Sequence, residues 1–139
     1  MIHLVDDQLL SRILRGTDPP DLDGEVFTTG YWYVRLCQAV LGAADRTGVL
    51  SGPFAALPQR QRERVALSIL ELPESIGLLS LRALGPTIGQ LRQQHDLNIL
   101  GMEVLAAAVQ LNAEVHLSAT SPRLAAALEQ EHRRVVVHR

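Results

Sequence analysis

Two adjacent acids follow the first apolar run of the chain and are the clearest candidates for chemistry. Residues 2–5 read IHLV, and Asp6 and Asp7 come directly after them. A buried strand that ends in acids places carboxylates at the carboxyl edge of a parallel sheet, where ligands commonly bind. There the carboxylates could bind a divalent cation, or they could stabilise the N-terminus of the next helix through its dipole. Both interpretations stay open at this point.

The other reactive side chains do not form a known catalytic or metal-binding motif. The five histidines, which lack HExxH spacing, are His3, His95, His116, His132 and His138. His3 and His116 are expected on adjacent strands, where a metal pair is conceivable, but hydrogen-bonded core histidines are the interpretation that we favour. The single cysteine, Cys37, lies in a predicted helix without an obvious base, and no GxSxG, GxGxxG or GxxxxGK(S/T) sequence occurs.

Composition indicates a globular domain with no general attraction to nucleic acid. The chain has 139 residues, of which 47% are hydrophobic, and its formal net charge is -2. These values predict one domain spanning residues 1–139, in which binding of nucleic acid requires a local basic patch. The sequence has no run of about 18 apolar residues, and acids follow its first apolar residues. We therefore predict a cytoplasmic protein without a membrane partner.

Alternating strands and helices must position these candidate residues. Hydrophobic periodicity and turn residues predict strands at 2–5, 25–29, 75–81, 113–118 and 134–137. The first predicted helix ends at Gly16, and the others span 30–44, 58–72, 82–94, 98–111 and 121–131. Asp96 and Asn98 are both plausible N-caps of the helix that ends at Leu111, and a short turn at Asn112 follows it. Residues 45–48 are predicted to form a turn, which a short helical turn follows. This alternation implies an α/β fold, a three-layer α/β/α sandwich around a five-stranded parallel sheet.

The strand order decides which residues meet. Right-handed crossovers leave few topologies, and we predict the order 3-2-1-4-5, which places the ends of strands 1 and 4 side by side. Asp6 and Asp7 then lie near Gly101, Ser118 and Thr120 in the crevice where open α/β sheets bind ligands. Gly101, Ser118 and Thr120 form the predicted binding edge.

A second candidate surface lies at the start of the second helix. We predict that Tyr31, Trp32 and Arg35 contact a partner chain or nucleic acid, because aromatic rings stack on bases and also dominate protein interfaces. Burial in the core or between subunits is the alternative, since large aromatic side chains mostly serve packing. The apolar stripe predicted for the opposite side of this helix consists of Tyr33, Leu36, Cys37, Val40 and Leu41.

Two stretches of the sequence resemble the PIN-domain ribonucleases, which include the toxins of bacterial toxin–antitoxin pairs. They are the opening MIHLVDDQLL and the unit GMEVLAAAVQLNAEVHLSATSPRL, and the order of elements is similar over nearly the whole chain. The resemblance implies a PIN-type fold. It also implies a cluster of carboxylates that hold Mg²⁺ or Mn²⁺ and activate water for hydrolysis of a phosphodiester.

The acidic positions of the family are mostly replaced in this chain. Asp6 or Asp7 matches the first acid, and the second falls among residues 31–35, which contain no carboxylate. The third falls on Gly101 and the fourth near Thr120. Asp96 could supply a substitute, whereas Glu103 lies two residues past the family position and points about 200° away on a helix.

We therefore predict a degenerate PIN-like protein that binds RNA or a protein, has little or no nuclease activity, needs no cofactor and forms a homo-oligomer, most simply a homodimer. The first alternative is a toxin-type ribonuclease that uses Mg²⁺ or Mn²⁺ with Asp6, Asp7 and Asp96, has Asp6 as a metal ligand and pairs with a small antitoxin-like protein. The second alternative is a regulatory module that binds proteins through Trp32 and Arg35.

Overall fold

The computed structural model describes residues 1–42 and 48–139, and these form five strands and seven helices. The strands are β1 (Ile2–Val5), β2 (Glu25–Thr29), β3 (Ile76–Leu79), β4 (Glu114–Leu117) and β5 (Val135–Val137). The helices are α1 (Asp7–Arg15), α2 (Gly30–Leu41), α3 (Gly52–Ala55), α4 (Gln59–Leu70), α5 (Leu81–Leu91), α6 (Ile99–Leu111) and α7 (Pro122–Gln130). The predicted end of the second helix at Ala44 and residues 45–47 of the predicted turn lie outside the described residues.

All five strands pair in parallel in the order β3-β2-β1-β4-β5, which confirms the predicted topology. In this register His3 on β1 lies opposite Glu114 on β4, and Val5 lies opposite His116. Helices α1, α2 and α4 pack against one another, α5 and α7 both pack against α6, and the two groups cover opposite faces of the sheet. The molecule is the predicted three-layer α/β/α sandwich.

Alternation along β1 explains why the sheet has a core on each face. Neighbouring side chains of a strand point to opposite faces. Leu4 accordingly packs with α5, α6 and α7, and Val5 packs with α1, α2 and α4; both are fully buried. Strands that are covered on both faces read as nearly continuous apolar runs, so the sequence locates them well.

Short polar side chains fix where several helices begin. Asp6, Thr29, Ser80 and Asn98 each accept a hydrogen bond from the backbone N–H three residues later, which is the geometry of an N-cap. Asp6 and Ser80 directly follow strands, and Thr29 ends one, so α1, α2 and α5 begin at the carboxyl edge of the sheet. The sequence predicted that β3 ends at residue 81, but Ser80 caps α5 and the strand ends at Leu79.

Helix α6 is apolar on nearly all sides, with Glu103 as its buried acid, and it lies between neighbouring helices and the sheet. Residues 102–108 are all buried, and the helix contacts α5, α7, β1 and β2. It ends at Asn112, whose φ of 53° is left-handed and which confirms the predicted turn.

One residue of the predicted α2 stripe faces solvent. Leu36 is fully buried and Val40 is 6% exposed, but Leu41 is 69% exposed, so its predicted inward orientation is wrong. Leu41 lies five residues after Leu36 and thus about 140° around the helix from it, beyond the edge of the buried stripe. Among the described residues, no helix combines the length and apolar character that crossing a membrane requires.

Candidate functional site

A cleft of about 470 Å³ opens at the carboxyl edge of the sheet, where β1 and β4 end and α2, α6 and α7 begin. The structure brings together all five residues that the strand order predicted there. Asp6, Asp7, Gly101, Ser118 and Thr120 line this cleft. The volume lies within the range of about 300–1,000 Å³ that is common for small-ligand sites.

Both carboxylate oxygens of Asp6 accept hydrogen bonds from other parts of the chain. Its Oδ1 accepts a hydrogen bond from the N–H of Leu9 at 3.0 Å, which caps α1. Its Oδ2 accepts two hydrogen bonds from Ser118, from the backbone N–H at 2.7 Å and from the hydroxyl at 2.5 Å. The Asp6 side chain therefore connects the start of α1 to the end of β4, and three of its roughly four acceptor positions are taken by donors of the chain itself.

Asp7 pairs with an arginine at the wall of the cleft. Its Oδ1 accepts a hydrogen bond from the N–H of Gln8 at 2.8 Å, and its Oδ2 lies 3.4 Å from Nε of Arg35. Burial raises the pKa of the Asp7 carboxyl and the neighbouring Asp6 raises it further, while Arg35 and the Gln8 amide lower it. The negative charge of Asp7 is thus costly here, and Arg35 compensates for only part of that cost.

The predicted contact residues of α2 also line the cleft. The Arg35 side chain is half exposed, and its Cζ lies 6.0 Å from the centre of the Tyr31 ring, within the range of a cation–π contact. Trp32 faces the cleft and also packs against the core around α6. The predicted packing role of Trp32 is confirmed, whereas its contact with a partner or nucleic acid stays a prediction.

Asp96, the third predicted catalytic acid, does not line the cleft. Its side chain is 93% exposed, its carbonyl accepts a hydrogen bond from Nη2 of Arg123 at 2.7 Å, and its Oδ2 lies 3.8 Å from the same nitrogen. It lies two residues before Asn98, whose side chain caps α6, so Asp96 is not the cap that the sequence also allowed. Its position at the rim instead orients Arg123, which does line the cleft.

Glu103 has a role that the sequence analysis did not find. It is buried within α6, and its Oε1 accepts a hydrogen bond from the N–H of Tyr31 at 3.2 Å. A Cβ on Gly30 would lie 3.3 Å from Oε2 of Glu103, so the absence of a side chain at Gly30 allows this close approach. Glu103 therefore joins α6 to the first turn of α2. The available signal was an acid in the middle of an otherwise apolar helix.

The described side chains of the cleft do not fit the Mg²⁺ or Mn²⁺ site that the family resemblance implies. Such ions need several oxygen ligands that converge on one point. Among the residues that the structure describes, the acids that line the cleft are Asp6, whose oxygens are both engaged, and Asp7, which faces Arg35.

The same cleft presents groups that suit an anion. Helix α7 begins at Pro122, and the side chain of its N-cap residue Ser121 makes no capping hydrogen bond. The N–H groups of Arg123 and Leu124 occupy that first turn, where backbone donors and the helix dipole favour negative charge. The guanidinium groups of Arg35 and Arg123 add two positive charges, and their side chains are 50% and 77% exposed.

Comparison with known proteins does not establish a family for this chain. No protein-family model matches the sequence, and no curated protein matches it with significant similarity.

Proposed function

We propose that this chain is a PIN-like binding protein whose cleft holds a phosphate group of single-stranded RNA without hydrolysing it. The observation that carries the proposal is the use of Asp6. Both of its oxygens accept hydrogen bonds from the chain itself, at the position that the resemblance to PIN nucleases assigns to a metal ligand. An acid whose charge already serves three donors of the chain is a weaker ligand for a cation.

Charge at the cleft supports an anionic ligand. Arg35 and Arg123 balance Asp6 and Asp7, and the first turn of α7 adds the partial positive charge of a helix N-terminus. Arginine also binds phosphate through two parallel hydrogen bonds, which lysine does not. The cleft thus supplies positive charge that can neutralise a phosphodiester, although the net charge of the whole chain is -2.

The shape and aromatic lining favour RNA over a folded protein surface. The concave site can enclose one nucleotide, whereas protein interfaces are usually broad. Tyr31 and Trp32 lie at the wall of the cleft, where an unpaired base can stack on them. Single-stranded RNA presents such bases together with a phosphate at each step.

Fluorescence anisotropy with a labelled single-stranded RNA tests this proposal. EDTA is present throughout, so that binding is measured without divalent cations. We expect Arg35→Gln and Arg123→Gln each to raise the Kd for RNA by about tenfold. This factor corresponds to the free energy of roughly one charge-assisted hydrogen bond. Arg82→Gln is the matched control, because Arg82 is an exposed arginine on α5 outside the cleft lining.

Three results would contradict the proposal. The first is no binding at low salt, and the second is an equal loss of affinity in Arg82→Gln. The third is RNA cleavage in the presence of Mn²⁺ that Asp7→Asn abolishes, which would support the toxin-type nuclease instead.

The proposal includes a cytoplasmic homodimer. Val34 and Leu41 are 50% and 69% exposed and lie seven residues apart on α2, which places them on the same side of that helix. A second copy of the chain would cover these apolar side chains. Val34→Arg should halve the mass measured by light scattering, and Arg82→Gln should leave it unchanged. A wild-type protein with the mass of one chain would exclude the dimer.

A further inference from the structure

We propose that His3, Glu114 and His116 form a binding site for Zn²⁺ that is separate from the cleft. Ligand atoms of these three residues lie within 4.8 Å of one another, and none of the three residues lines the cleft. This inference does not depend on RNA binding.

The pairing of β1 with β4 places the three side chains on one face of the sheet. His3 lies opposite Glu114 in the register, and Glu114 and His116 are two residues apart on β4, so all three side chains point the same way. Both histidine side chains are 4% exposed, and the Glu114 side chain is 12% exposed. The group is therefore nearly buried, and Glu114 is its most accessible member.

The distances between the ligand atoms match the coordination sphere of zinc. Nδ1 of His3 lies 2.9 Å from Nε2 of His116, and Oε1 of Glu114 lies 3.1 Å from Nε2 of His116 and 3.8 Å from Nδ1 of His3. Tetrahedral zinc with bonds of about 2.0–2.1 Å separates its ligand atoms by about 3.3 Å. The three measured separations lie on both sides of that value.

Each of the three residues also has the kind of partner that orients a metal ligand. Nε2 of His3 lies 2.6 Å from the carbonyl oxygen of Asp23, and Nδ1 of His116 lies 2.8 Å from Nε2 of His138. Nη1 of Arg134 lies 3.1 Å from Oε2 of Glu114, the oxygen that does not face the histidines. Such outer contacts to the second nitrogen of histidine and to the carboxylate are typical of metal sites.

The hydrogen-bond partners show which atoms have a free electron pair. The carbonyl of Asp23 can only accept, so Nε2 of His3 carries a hydrogen and Nδ1 of a neutral His3 does not. Without a metal, Nε2 of His116 must then donate to Nδ1 of His3, with the carboxylate of Glu114 also close. One hydrogen thus lies among three ligand atoms. Zn²⁺ can replace it if His116 carries its hydrogen on Nδ1 and donates it to Nε2 of His138, whose own hydrogen then lies on Nδ1.

The ligand types favour zinc over the ions of the nuclease family. Two imidazoles and one carboxylate form a mixed nitrogen and oxygen set, which zinc accepts in sites that keep a water molecule as the fourth ligand. Mg²⁺ and Mn²⁺ prefer oxygen ligands.

Titration of the untagged, EDTA-treated chain with Zn²⁺ tests the site by calorimetry. We expect one equivalent to bind. Glu114→Gln should weaken binding at least tenfold, because the amide keeps the size of the side chain but loses its charge. His132→Asn is the matched control, since His132 is an exposed histidine whose φ of 57° asparagine tolerates. This variant and Asp7→Asn, which alters the cleft, should bind Zn²⁺ as the wild type does.

Histidine NMR of the wild-type chain decides the question even if a variant does not fold. We expect Zn²⁺ to shift the ring signals of His3 and His116 and to move the His116 hydrogen from Nε2 to Nδ1. Substitution with Co²⁺ should give the visible absorption of a four-coordinate ion. Zinc that leaves both ring signals unchanged, or that binds equally well to Glu114→Gln, would overturn the proposal.

Discussion

At the scale of single residues, the two adjacent acids have different roles although they share one edge of the sheet. The side chain of Asp6 accepts three hydrogen bonds from α1 and Ser118, whereas Asp7 keeps one oxygen on the cleft side beside Arg35. The sequence predicted the position of both acids, because an apolar strand leads directly into them. It could not predict the engagement of Asp6, since Ser118 is 112 positions away along the chain.

Replacement of Asp6 should destabilise the protein strongly. Asp6→Ala removes the cap of α1 and leaves the part-buried N–H of Ser118 without its acceptor. The loss of the cap and the loss of this partner together predict about 2–4 kcal/mol less free energy of unfolding. Urea denaturation measures this difference. Asp21→Ala is the control, because Asp21 is exposed, and it should change stability by less than about 0.5 kcal/mol.

Replacement of Asp7 should have the opposite effect. Its folded-state pKa is raised from the ordinary value of 3.8, so the folded chain binds more protons than the unfolded chain between the two pKa values. Stability therefore falls as the pH rises through that window. Asp7→Asn removes the costly charge and should raise stability by about 1 kcal/mol near neutral pH.

Thermal unfolding at two pH values tests the Asp7 prediction. The variant should melt at a higher temperature than the wild type at about pH 7, and the difference should shrink as the pH is lowered, because the raised pKa lets the wild-type carboxyl take up its proton earlier in the folded than in the unfolded chain. A variant that melts lower at about pH 7 would show that the Arg35 ion pair outweighs the cost of burial.

At the scale of elements, a glycine in β3 shows how tightly two strands approach. A Cβ on Gly77 would lie 2.4 Å from the Phe27 ring, which crosses over it from the neighbouring strand β2. Gly77→Ala should therefore lower the free energy of unfolding by about 1–3 kcal/mol, the usual cost of overpacking. Urea denaturation of the variant measures it.

A glycine in α5 provides the matched control. A Cβ on Gly89 would meet nothing within 4 Å, and alanine has the higher helix propensity. Gly89→Ala should raise stability by about 0.5–1 kcal/mol. If both alanine variants lowered stability equally, the Phe27 contact would not explain the loss at Gly77.

Strands and helices were predictable from the sequence because their signals are local. The bounds of β1 and β2 agree with the predictions, and the caps at Asn98 and Gly16 were found from residue type. Errors arose where two local signals competed. Ser80 is the N-cap of α5, so β3 is shorter than predicted. Asn98 is the N-cap of α6, although the residue type of Asp96 also suited a cap. The Leu41 side chain faces solvent because of the way in which α2 packs, and the sequence does not specify that packing.

At the scale of the whole molecule, one pair of strands carries both candidate sites. Asp6 lies three residues after His3, just past the end of β1, and its N–H donates to the carbonyl of His116 at 3.2 Å. Two residues further, Ser118 binds the Asp6 carboxylate. The strand order brings these residues together, and it was predictable because right-handed crossovers allow few alternatives. The hydrogen bonds of the two sites depend on distances of a few tenths of an ångström, which no sequence pattern specifies.

The family resemblance can itself be tested by restoring its missing acids. Gly101 lies in the first turn of α6 and Thr120 in the loop after β4, and both line the cleft. A Cβ on Gly101 would lie 3.2 Å from Cβ of Leu97 and 3.3 Å from Oδ1 of Asn98, so a side chain fits after a small shift of its neighbours. The double variant Gly101→Asp, Thr120→Asp adds two carboxylates beside Asp7, and acids are favourable at a helix N-terminus.

We expect Mn²⁺ to raise the melting temperature of this double variant but not that of the wild type. A ligand that binds only the folded state stabilises it by about 2.7 kcal/mol at a hundredfold excess over its Kd. The double variant Gly101→Asn, Thr120→Asn is the control, because it has nearly the same size without the charge and should not respond. RNA binding should weaken in the acidic variant for the same electrostatic reason. An acidic variant that folds but gains no response to Mn²⁺ would mean that the cleft does not have the geometry of a nuclease site, and the PIN resemblance would then rest on the fold alone.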